Sequence, residues 1–236
     1  MIPLIQNYLD QLLNTFGRVA PPIDSAVLKN LHKQRNYAAM LGWIKNSMNL
    51  DLRVGLRVVE ASEKTNPMWI ELPAQMPAYG THEFRQTRVV VNVRKELIET
   101  KPFGWVVAGF AHELSHVVLF SIGHALQDEE KAVDLTAMIL GYQTFIAGAQ
   151  IKTTYGRLWP AINMAFWISL GVFFWRNARQ DESWSLPLIF ALILTPWAIS
   201  FWRGSSNKTE RLGYLTPDEA KFARKHLARV RTNRLP

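Results

Sequence analysis

Apolar residues recur along the first 150 positions at two periods, and each period predicts an element. Ile2, Ile5, Leu9, Leu12, Leu13 and Phe16 are spaced as one face of an amphipathic helix with few charges, which Gly17 and the Pro21-Pro22 pair bring to an end. Packing against the rest of the chain is its expected use, with a membrane surface as the alternative. Asp24 or Ser25 then caps a helix to about Met48, with Lys, Arg and His32 on its solvated face. Residues 52–60, 68–72 and 87–93 alternate as strands do, so a small sheet follows. Pro102 opens the next helix at a position where a missing N–H does no harm. Val106, Val107, Phe110, Ala111, Leu114, Val117, Val118, Leu119 and Phe120 make that helix apolar nearly all round, as for a core element. Asp128 reads as the N-cap of a second apolar helix ending near Ile146.

Beyond Gln150 the pattern changes. Residues 158–175 and 183–202 are two uncharged runs, each roughly 27–30 Å long as a helix, about the hydrocarbon thickness of a bilayer. Trp159, Trp175, Trp184 and Trp202 stand at their ends, where an aromatic belt places them, and a short polar joint separates them. A transmembrane hairpin over 151–203 is therefore expected, with the lipid bilayer as a partner. Thr216-Pro217-Asp218-Glu219 is a capping box that opens a basic helix through Val230. Three uses are open to this helix. It can lie on anionic lipid, it can bind nucleic acid (not expected, since stacking aromatics are scarce), or it can pack back through Leu212, Leu215, Phe222 and Leu227.

Charge and composition refine this division. Of the net charge of +8, +6 lies in residues 203–236, which carry nine Lys or Arg against three acids. With basic residues flanking both runs, the positive-inside rule places both termini and the first 150 residues in the cytoplasm of a multi-pass inner-membrane protein. The N-terminus lacks a charged region followed by an apolar one, so no cleaved signal peptide is expected. The chain has no Cys, which excludes disulfides and thiolate metal sites and leaves His and carboxylate as metal ligands.

The chemistry concentrates in His112-Glu113-Leu114-Ser115-His116. On a helix, His112 and His116 share a face and can grip one metal ion, while Glu113 can reach a water on it. Two imidazoles and a carboxylate inside an apolar helix would be costly without a partner. A third protein ligand is needed. Position 122 is Ile, His124 is off the ligand face, and the next acids are Asp128, Glu129, Glu130 and Asp134, the last two again four apart. Tyr79 and His82, in the loop before the third strand, are candidates to stabilise an oxyanion.

H-E-x-x-H followed on the next helix by E-x-x-x-D resembles the gluzincin zinc metallopeptidases, and its short spacing is similar to the compact ImmA/IrrE-like group. The resemblance covers about residues 25–150. It implies Zn2+ bound by His112, His116 and Glu130, Glu113 as general base, and Asp134 hydrogen-bonded to a ligand imidazole. Glu129 in place of Glu130, or Asp134 as the ligand, remains open. Ser115 departs from the family's usual Gly.

The expected fold class is thus α+β: a small zincin-like domain, with its metal site between two adjacent helices, then the hairpin and a basic helix. The divisions are an N-terminal amphipathic helix (1–22), the metallopeptidase domain (23–150), the hairpin (151–203) and a tail (204–236). The expected activity is zinc-dependent endopeptidase cleavage of a cytoplasmic or membrane-proximal protein or peptide, gripped by strand addition at Arg88–Val93 or its neighbour. The alternative is a membrane-tethered zinc-binding sensor or interaction module with little proteolysis.

Overall fold

A computed structural model describes residues 2–60, 66–148, 150–152, 209–211 and 213–233. The fold is α+β, with helices gathered around a small three-stranded sheet. The amphipathic stripe forms α1 (Ile2–Phe16), which buries Ile5, Tyr8, Leu9, Leu12 and Leu13. It packs on two later helices described below, so packing is the use this stripe is put to.

The long basic helix expected from 25 to 48 is instead two, α2 (Ala26–Lys33) and α3 (Tyr37–Ser47). Arg35 at φ 54 breaks the run, and the Asn36 side chain accepts from Ala39 N–H to start α3. His32 is not on a solvated face. It packs edge-on to Tyr37 and Phe103, and burial lowers its pKa.

The three strands are β1 (Arg53–Val59), β2 (Met68–Glu71) and β3 (Arg88–Arg94), in the order β1-β3-β2. β1 runs parallel to β3, and β2 antiparallel to it. Arg88–Val93 is therefore the central strand, and its neighbour β2 forms an edge. Two short helices that the apolar pattern was too brief to announce, α4 (His82–Gln86) and α5 (Lys95–Thr100), flank β3.

Behind Pro102 comes α6 (Phe103–Ser121), the core helix. Val106, Val107, Phe110, Ala111, Leu114, Val117 and Leu119 have no exposure, and full burial of a Val, Leu or Phe side chain stabilises by about 1.5–3 kcal/mol. Among the described residues α6 alone is long and apolar enough to cross a membrane, but it is mostly buried in protein.

The second apolar helix is also shorter than its pattern. α7 (Glu130–Ala137) starts two residues after Asp128, with Glu129 in the N-cap position, so Asp128 is not its cap. It ends in a wide turn, Met138–Tyr142, and continues as α8 (Gln143–Gly148). Gly141 makes that turn at φ 102, with its Cα so placed that a Cβ would meet Pro21 O at 2.6 Å. The chain after α1 lies against the same turn, with Ala20 N–H donating to Ile139 O (2.8 Å) and Ile23 N–H to Gly141 O (3.1 Å).

Gln150–Lys152 (β4) pairs with Thr209–Arg211 (β5) as a separate two-stranded sheet, so the intervening stretch is entered and left through paired backbone. The expected hairpin runs, 158–175 and 183–202, lie outside the described residues. The basic helix is α9 (Pro217–Asn233). It packs back on α1 and α8, burying Ala220, Ala223 and Leu227 along with Leu215 just before it. Residues 213–233 belong to the same compact unit as the described residues up to 150.

Candidate metal centre

Two helices build the site. α6 carries His112, Glu113 and His116, and α7, packed beside it, carries Glu130 and Asp134. The polar loop between them is just long enough to turn α7 back along α6. Glu130 Oε2 lies 3.1 Å from His112 Nε2 and 3.5 Å from His116 Nε2. The two imidazoles stand nearly perpendicular with centroids 5.0 Å apart, as rings do when both aim a nitrogen at one point. One ligand atom from each of His112, His116 and Glu130 falls within 4.8 Å of the others, a group that could hold a metal ion.

The remaining acids are placed differently. Asp134 is fully buried and its Oδ1 is 2.8 Å from His112 Nδ1, on the far side of the ring from Glu130. Glu129 turns towards α1, where Tyr8 Oη donates to its Oε2 at 3.1 Å. Glu113 is buried at the cleft wall and hydrogen-bonded by the backbone of Ile70 on β2.

The electrostatics ask for a positive charge at the centre. Burial opposes a charged His112, yet the Asp134 and Glu130 carboxylates outweigh it and hold the imidazole at about 10. The His112 and His116 imidazoles beside it bring Glu130 down to about 2, against the opposing effect of burial. Burial raises Glu113, partly offset by the two imidazoles. A proton on His112 thus answers the carboxylates, and a divalent cation among the same three atoms would answer them with more charge.

A cleft of about 530 Å3 opens over this centre. Its floor is α6, one wall is Met68, Trp69 and Ile70 of β2, and another is Gly213 and Tyr214. The edge strand offers backbone to the cleft. Arg94 N–H donates to Pro67 O, so the alternating register directs the N–H and C=O of Met68 and Ile70 away from β3.

Sequence reasoning gave Leu215 as a packing residue but missed Gly213 and Tyr214 at the site. Tyr214 stacks on His112 at 5.4 Å and 21° between planes, and Asn66 hydrogen-bonds its side chain. Only the neighbouring capping box was legible here. Thr216 N–H donates to Glu219 Oε2 (2.8 Å) and Glu219 N–H to Thr216 Oγ1 (3.3 Å), which fixes where the segment enters α9. Tyr79 and His82 are not in the cleft: Tyr79 Oη donates to Asn49 O, and His82 pairs with Gln86. His124 instead accepts from Leu126 N–H in the α6–α7 loop.

No protein-family model, curated protein or solved structure matches this chain.

Proposed function

We propose that this protein is a membrane-anchored zinc metallopeptidase of the gluzincin type, cutting a cytoplasmic or membrane-proximal protein. The observation that carries the proposal is the convergence of His112 Nε2, His116 Nε2 and Glu130 Oε2 beside Glu113. Ligand atoms about 2.0–2.1 Å from a tetrahedral zinc are about 3.3 Å from one another. The 3.1 and 3.5 Å separations from Glu130 Oε2 bracket that edge. Glu130 Oε2 is buried, and although both imidazole Nε2 atoms stand beside it, neither makes an aligned hydrogen bond to it, as for an atom placed to take a cation. His112, His116 and Glu130 are the proposed ligands, and Asp134 fixes the His112 tautomer from behind, as partners of metal-bound imidazoles do.

When bound, zinc supplies a Lewis acid that polarises the scissile carbonyl and makes water acidic enough to attack near neutral pH. Glu113 takes the proton of the attacking water and delivers it to the departing amine; its raised affinity for a proton suits both transfers. β2 aligns an extended substrate through the Met68 backbone and the Ile70 carbonyl, and the apolar walls of Trp69, Leu72 and Phe120 favour apolar side chains. The runs 158–175 and 183–202 anchor the enzyme as a hairpin, with the catalytic body and both termini in the cytoplasm.

The test is a purified full-length chain in detergent. One zinc per chain is expected, with cleavage of casein or an unstructured peptide. Glu113→Gln should keep the zinc and lose activity by about 100-fold or more. Full activity in Glu113→Gln would end the peptidase reading. Zinc without cleavage by the wild type would leave a sensor module in its place.

A further inference from the structure

A fully buried carboxylate is costly unless both oxygens are bonded, and Asp134 has a partner for each. Its Oδ1 meets His112. Its Oδ2 accepts two main-chain N–H groups from a segment 80 residues further along, Tyr214 at 2.7 Å and Leu215 at 3.2 Å. Gly213 lies so near that a Cβ there would stand 3.1 Å from the same oxygen. The segment is itself fastened: Leu215 is buried, and Glu219 of the capping box pairs with Lys131 at 2.7 Å. Lys131 belongs to α7, the helix that carries Glu130 and Asp134.

We infer that Gly213–Leu215 is a latch that completes the metal centre. Main-chain donors cannot swing away as side chains do, so the two amides pin Asp134, and Asp134 in turn pins His112. The Tyr214 ring covers the other face of that imidazole. Gly213, Tyr214 and Leu215 are positioning residues. They are not among the proposed ligands, and act by presenting His112 Nε2 at a fixed place. The sequence division that ends the metallopeptidase domain at residue 150 would omit them all. The inference rests on the metal reading above and goes beyond it, because nothing in the H-E-x-x-H and E-x-x-x-D pattern requires a distant strap.

The experiment uses the full-length chain in detergent, with Gly213→Val, Tyr214→Ala, Asp134→Asn and the double variant Gly213→Val/Asp134→Asn. Zinc affinity is read by competition with a chromophoric chelator, and ligand geometry by the visible absorption of the Co2+-loaded protein. Gly213→Val and Tyr214→Ala should each weaken zinc by about tenfold or more and alter the Co2+ spectrum. The metal-free variants should keep the wild-type far-ultraviolet dichroism, so that the loss is one of affinity rather than of fold. Gly213→Val should cost little further in the Asp134→Asn background, because both act through one carboxylate. Should Val unseat α9, Gly213→Ala adds the Cβ alone and should weaken zinc in the same direction. Wild-type affinity in both single variants, or fully additive losses in the double variant, would overturn the latch while leaving the metal centre standing. A wild-type chain that binds no zinc would remove the metal reading itself, before any variant is compared.

Discussion

His112 has a carboxylate close to each ring nitrogen, and this sets how the metal-free protein responds to pH. Burial pulls its pKa down, but Asp134 and Glu130 prevail and hold it at about 10, above the ordinary 6.5. A group raised on folding contributes stability that is complete below the unfolded value and is lost as pH rises through the folded one. Glu130, lowered to about 2 from 4.5 by His112 and His116, contributes above the unfolded value and loses it as pH falls through about 2. The chelated protein should therefore have its highest unfolding midpoint between about pH 4.5 and 6.5 and lose stability towards pH 10, measured by thermal unfolding with excess chelator. Zinc must displace the His112 proton, so its apparent affinity should rise over the alkaline side of that range. A metal-free midpoint that climbs from pH 6.5 to 10 would contradict the pairing.

At the scale of elements, the site depends on how α7 is stopped as much as on how α6 is built. A continuous helix from 128 to 146 would satisfy the apolar pattern, yet the chain turns at Gly141 to let residues 20–23 bond the exposed carbonyls of Ile139 and Gly141. A side chain there is strained by the positive φ, at about 1–2 kcal/mol, before the contact with Pro21 O is counted. Gly141→Ala should thus lower stability by about 2 kcal/mol or more in denaturant titration. Wild-type stability would mean that the turn opens without cost. The same comparison explains which elements were legible. α1, α6 and β3 have apolar spacing that agrees with their tertiary use, whereas the breaks at Arg35 and Gly141 interrupt patterns that are themselves uninterrupted. Asx capping by Asn36 and a glycine at φ 102 are local features whose meaning depends on what lies across from them.

For the whole molecule, β4 and β5 bring the two ends of the stretch 153–208 to one place, and the chain then runs directly into the latch. The proposed hairpin anchor predicts that the protein sediments with membranes, resists extraction by high salt and alkaline carbonate, and is released by detergent. Extraction by salt alone would remove the anchor and leave a peripheral attachment, for which the exposed Lys221, Arg224, Lys225 and Arg229 of α9 are placed. Either outcome is readable on whole-cell fractions without purified protein.

Local order in the chain was sufficient for the helix that carries His112, Glu113 and His116, for the helix after it that offers Glu130 and Asp134, and for the capping box at Thr216. In each, helical periodicity places residues three or four apart on one face whatever the rest of the fold does. Three things needed the folded chain: that Glu130 faces the imidazoles while Glu129 is drawn off by Tyr8, that β2 forms the edge beside the cleft, and that Gly213–Leu215 closes over Asp134. Each is a contact between segments far apart in sequence, and its geometry is set by how helices and strands pack rather than by any spacing along the chain.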